Sequence, residues 1–177
     1  ALQWQFSSGH LDEEALPYRE VVNAPDLSAL LPEAAGLKSA GHSWLLPHRA
    51  LNGRFPELMK ALLAGRFVDG LGPVPIAVSL TLFESFTSTA TTLDGLIPLP
   101  LPNEKPTGGH AMVVVGYYDA GDPANPFGID YFLVRNSWGD WASHNPVKAS
   151  GHALIPADYF RGTAVREAYI VLENPNR

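Results

Sequence analysis

The 177-residue sequence contains no cysteine. Disulfides, Cys-based zinc sites and a cysteine nucleophile within these residues are therefore excluded. Long apolar runs are also missing. Stretches such as VPIAVSLTLF are short and broken by small polar groups, whereas a membrane-spanning helix needs about 20 apolar residues. Positive charge is scarce: 12 Lys and Arg stand against 18 Asp and Glu, a net charge of −6, with no local basic cluster. This argues against binding nucleic acid or an anionic membrane through a basic face. The opening ALQWQFSSGHLDEEALPY has neither the basic start nor the apolar run of a signal peptide, and a start at Ala1 is expected of a processed product or a fragment. There is no internal repeat and no low-complexity tract.

What is present is enough for a core. Hydrophobic residues make up 46% and charged residues 17%, which fits one domain, or one large lobe of a bigger one, and not a disordered chain. Gly and Pro number 16 each and cut the chain into short segments, so coiled coils and helical bundles are poor fits.

Residues 1–54 read as an irregular arm, interrupted by Pro17, Pro25, Pro32 and Pro47. Within it Asp26-Leu-Ser-Ala-Leu-Leu suits a short helical turn, and Ser43-Trp-Leu-Leu-Pro-His an extended arm. PELMKALL, from Pro56 to Leu63, predicts a helix with Pro at its first position and Gly65 as its stop. Beyond Gly72-Pro73 come five β-rich segments: Val74–Leu82, Met112–Tyr118, Tyr131–Arg135, His152–Ile155 and Ala168–Leu172. Long excursions separate them from Phe86 to Lys105 and from Asp119 to Asp130. The order predicts an α+β fold, a small and mostly antiparallel barrel with one packed helix, in a single domain with residues 55–177 as the barrel lobe. The apolar density of Ala111–Tyr117 predicts a strand buried on both faces.

Two motifs carry the chemistry: Gly108-Gly109-His110-Ala111-Met112-Val113-Val114-Val115-Gly116-Tyr117, and Phe132-Leu133-Val134-Arg135-Asn136-Ser137-Trp138-Gly139. The first puts a histidine at the mouth of a strand, behind glycines that leave its ring approachable. The second puts an asparagine at a strand end, followed by a tryptophan able to cover it. The 26 residues from His110 to Asn136 suffice for strand, loop and returning strand. Adjacent antiparallel strands then bring the two side chains together. An amide oxygen bonded to one imidazole nitrogen fixes the tautomer and frees the other nitrogen for proton transfer. The plainer readings are a core histidine and a turn-forming asparagine.

The pair GGHAMVVVGYYD and YFLVRNSWGDW resembles the histidine and asparagine motifs of papain-like cysteine peptidases (family C1), and their bacterial branch in particular. DEEALPY, PELMKALLAG with GPVPIAVSLTLFESF, GHALIPADYF and AYIVLE follow in the family's order, from about Leu11 to Leu172. The resemblance implies a Cys-His-Asn site hydrolysing peptide bonds, with His110 shuttling the proton, Asn136 orienting it and Trp138 shielding their bond from water. It further implies that Ser79, Gly109 and Ala111 border the substrate pocket, although packing explains each equally well. In the family the nucleophile precedes the histidine by about 130–150 residues, which lies upstream of Ala1. The chain is thus expected to be the C-terminal His/Asn lobe, inactive alone. Its partners are expected to be a Cys-bearing lobe and a peptide or protein substrate. Alone, it is expected to expose apolar surface near His110, Trp138 and Trp141, and so to self-associate or to hold a bound partner.

The sequence departs from the family after Trp138: Trp141 is followed by Ala142 and the loop SHNPVKAS. No cofactor is called for. His10 with Asp12, Glu13 and Glu14, His42 with His48, and His144 with His152 all lack tight ligand spacing, so no metal is expected. Ser8-Gly9-His10 lacks the elbow a serine nucleophile requires. The alternatives are a catalytically silent lobe that binds peptides through the old cleft, and a purely structural piece of a larger protein. Compartment stays open: family members are often secreted with disulfides, while a chain without cysteine also suits a bacterial cytosolic or delivered protein.

Overall fold

The computed structural model describes residues 42–46, 51, 53–66, 72–123, 125 and 127–172. The expected turn at Asp26–Leu31 lies outside them. The chain divides into two compact units, Ala1–Trp44 with Val171–Arg177, and Leu45–Ile170. Strand β1 (His42–Leu45) spans the boundary.

Helix α1 is Phe55–Leu63, with Phe55, Met59 and Leu62 buried at helical spacing. It ends in a Schellman turn: Gly65 N–H donates to Leu62 O and Arg66 N–H to Ala61 O, while Gly65 takes φ +66°, a conformation that costs glycine little. A second helix, α2 (Thr89–Asp94), lies inside the excursion that the sequence reading left irregular. Its signals were present: Ser88 accepts from Thr91 N–H as N-cap, and Gly95 closes the C-terminus.

The sheet is built from β2 (Ile76–Phe83), β3 (Pro106–Tyr118), β4 (Tyr131–Arg135), β5 (His152–Pro156) and β6 (Val165–Leu172). Their order is β6-β2-β3-β4-β5, with every pairing antiparallel. The α+β class holds, but among the described residues the expected barrel does not close. Gly95–Ile97 occupies the outer edge of β5 in parallel, through Leu154 N–H to Gly95 O (2.8 Å) and Ile97 N–H to Leu154 O (3.0 Å). On β6, Ala168 O accepts from Leu46 N–H. Both edges are met by other backbone, so neither edge strand is left to pair with the other.

Strand β3 also departs from expectation. Met112 and Val114 are buried, but Val113 and Val115 on the opposite face are each 38% exposed. Valine suits strand backbone on either face, so apolar density overstated the burial. The core face is filled by Ile76, Val78, Leu80, Val114, Phe132 and Val134, with α1 packed against β2 and β3.

An ion cluster ties α1 to the β3–β4 connection. Lys60 Nζ contacts Asp130 Oδ2 at 2.6 Å and also Asp119. Hydrogen bonding to Lys60 holds the Asp130 carboxyl below its ordinary range. Burial alone would lower the Lys60 ammonium, but bonding to Asp119 and Asp130 outweighs it and raises the group. A depressed carboxyl stabilises the fold above its unfolded pKa, and that stability is lost as pH falls through the folded value. Acid titration of the folding free energy should therefore show a loss below about pH 4. Asp130→Asn should flatten it and cost about 1 kcal/mol at neutral pH, given the partial exposure. An unchanged acid limb in urea titrations of Asp130→Asn counts against this assignment.

Candidate active site

Strand alternation sets the site. On β3 the residues His110, Met112 and Val114 share the core face, and on β4 Phe132 and Val134 do. Val113 pairs with Arg135 and Val114 with Val134, so Asn136, just past β4, continues on that same face. His110 lies diagonally across from it. The strand period of two thus delivers imidazole and amide to one sheet end. His110 sits within β3 rather than at its mouth, because the strand begins earlier, at Pro106.

His110 Nε2 is 2.7 Å from Asn136 Oδ1. The same oxygen accepts from Ser137 N–H at 2.7 Å. A backbone N–H can face only an acceptor, so this atom is the amide oxygen and Nε2 must carry the hydrogen. Nδ1 is then the basic nitrogen of the neutral ring. Asn136 is 8% exposed, its N–H donates to Gly151 O at 2.8 Å, and its buried Nδ2 has no hydrogen-bond partner among the described residues.

Trp138 stacks over His110, with ring centroids 4.6 Å apart and planes 29° from parallel. It is 39% exposed. Trp141 is buried, contrary to the expected exposed patch, because it lies flat on Phe86 (6.1 Å, 3°) and edge-on to Trp138 (5.4 Å). Phe86 is fully buried and also meets Trp138 edge-on at 6.3 Å. Sequence reading passed over Phe86, since one aromatic after a strand carries no signal of its own.

The remaining expected residues lie on the other face. Ser79 pairs with Ala111 across β2 and β3, and alternation turns both away from His110. At Gly109 the space a Cβ would take is filled by the Arg166 guanidinium, 2.9 Å away, and Arg166 Nε donates to Thr81 Oγ1 at 3.0 Å. Packing against Arg166 thus accounts for Gly109. The loop after Trp141 is organised by Asn145, whose Nδ2 reaches Ala142 O (2.7 Å) and whose Oδ1 accepts from Ala149 N–H (3.1 Å). Among the described residues no three metal-ligating side chains gather, and no helix is long and apolar enough to cross a membrane.

Gly151 supports the motif from below at φ +75°, with an added Cβ falling 3.0 Å from Gly139 O. Gly151→Ala should cost about 1–3 kcal/mol and displace Asn136, whose N–H it receives. Chemical denaturation, together with the imidazole resonances of His110, checks both effects. Wild-type stability in this variant is the contrary result.

No protein-family profile matches the chain. It is 32% identical over 131 residues to an uncharacterized peptidase C1-like protein of Acanthamoeba polyphaga mimivirus, covering 71% of this chain and 37% of that protein. It is 31% identical over 152 residues to human cathepsin L2, covering 84% and 39%. By fold it is similar to xylellain, a cysteine protease from Xylella fastidiosa, with a TM-score of 0.67 and 21% identity over 98% of this chain and 60% of that one. The chain is a homologue of papain-like cysteine peptidases of the C1 family. It spans about two fifths of the length of the two sequence relatives.

Proposed function

We propose that this chain supplies the histidine and asparagine of a Cys-His-Asn site that hydrolyses peptide bonds, the cysteine coming from outside these residues. The observation that carries this reading is the bond from His110 Nε2–H to Asn136 Oδ1, with Ser137 N–H on the same oxygen. It leaves Nδ1 as the base. A thiol brought to Nδ1 gives up its proton there, and the thiolate attacks the scissile carbonyl. The imidazolium then returns that proton to the departing amine, leaving a thioester. Nδ1 next takes a proton from water as the water attacks the thioester, releasing the acid and restoring the thiol. Asn136 keeps the ring in the tautomer this cycle needs. Trp138 covers one face of the ring and strengthens the bond by excluding water.

In this reading residues 1–54 form the arm between lobes and residues 55–177 the lobe itself. The exposed edge of Trp138 suits contact with the Cys-bearing lobe. Supplying that lobe, in trans or by joining its coding sequence upstream, tests the reading. Peptide hydrolysis blocked by thiol alkylators is the expected result. A correctly assembled pair that binds peptides without cleaving them would instead favour the silent binding lobe.

A further inference from the structure

We propose that Glu104 is a positioning residue for the His110–Asn136 pair, its carboxylate clamping the turn Glu84–Thr87 so that Phe86 holds the Trp138 ring over the imidazole. This rests on the reading of that pair as the working site. Glu104 Oε1 accepts from Ser85 N–H at 2.5 Å, and Oε2 accepts from Leu101 N–H at 2.9 Å. Glu104 N–H donates in turn to Leu101 O at 3.0 Å. One planar group with two acceptors thereby ties two separate loops together. Hydrogen bonding from Ser85, backbone first and side chain next, followed by the Leu101 N–H, holds the carboxyl below its ordinary range. Pro98, Pro100 and Pro102 stiffen the approach to this clamp.

The carbonyl of Ser85 is also held: Thr91 Oγ1 donates to Ser85 O at 2.9 Å. Fixed through both backbone groups of Ser85, the turn presents the next residue, Phe86, to Trp138, Trp141 and Tyr159. Trp141 Nε1 has no hydrogen-bond partner among the described residues, so packing alone seats that ring. Trp138 is partly open to solvent on its outer side. Its pose over His110 therefore depends on the aromatic rings beneath it, and theirs on the clamped turn. Glutamine cannot replace Glu104: its amide has one oxygen for two N–H donors, and its NH2 would face the other donor.

The test is NMR of the 177-residue chain with labelled histidine. The stacked Trp138 should shift the His110 ring protons upfield. Glu104→Gln and Glu104→Ala should lose most of that shift, as should Phe86→Leu, which leaves the carboxylate in place. Lys60→Met, which removes the distant ion cluster, should lower stability without moving those signals. A purely structural role for Glu104 predicts the Lys60→Met pattern for both Glu104 variants. Retention of the upfield shift in folded Glu104→Gln, or in Phe86→Leu, overturns the proposal. Failure of a supplied Cys lobe to give hydrolysis bears on the function above and leaves this result standing.

Discussion

In an assembly carrying the cysteine, His110→Ala is expected to bring peptide hydrolysis to the detection limit. Proton transfer by a positioned side chain is worth about 10²–10⁴-fold by itself. The variant also removes the imidazolium that stabilises the thiolate. Asn136→Ala should cost less, because the amide orients the ring and transfers no proton, although its loss also leaves Ser137 N–H without its acceptor. Asn136→Asp keeps an oxygen for both donors and should retain more activity than Asn136→Ala. Alkylator-sensitive turnover, measured across pH, separates the three. Undiminished hydrolysis by His110→Ala would falsify the assignment of His110.

Phe86→Ala should produce the largest loss of stability near the site, about 3–5 kcal/mol, as expected for deleting a fully buried aromatic. The ring is 0% exposed and contacts three other aromatic side chains. Removing it leaves a void beneath Trp138 and Trp141, and the Trp141 indole N–H has no hydrogen bond among the described residues to hold that ring in place. Tyr159 illustrates the alternative kind of seating: its OH donates to Thr81 O at 2.8 Å, and burial pushes its phenol pKa up. Urea unfolding of Phe86→Ala, followed by tryptophan fluorescence, should show a midpoint shift with little change in slope. A loss below about 1 kcal/mol would place the energetic weight of the cluster elsewhere.

What the sequence determined by itself is whatever depends on local pattern. The α1 helix followed from apolar spacing between Pro56 and Gly65, and the five strands from β-rich runs between turn residues. The spacing of His110 and Asn136 on two such strands was enough to expect their meeting, since a period of two leaves few ways to arrange them. Tertiary structure decided the rest. Which face of β3 is buried depends on where α1 packs, and valine is equally at home on either face. The sheet stays open because backbone from Gly95–Ile97 and Leu46 reaches its edges, pairings remote in sequence and without a residue signature. The turn of Ser79 and Ala111 away from His110 follows from register. The Phe86 support and the Glu104 clamp join segments through single rings and single carboxylate oxygens, contacts that any phenylalanine or glutamate offers and only the folded chain selects.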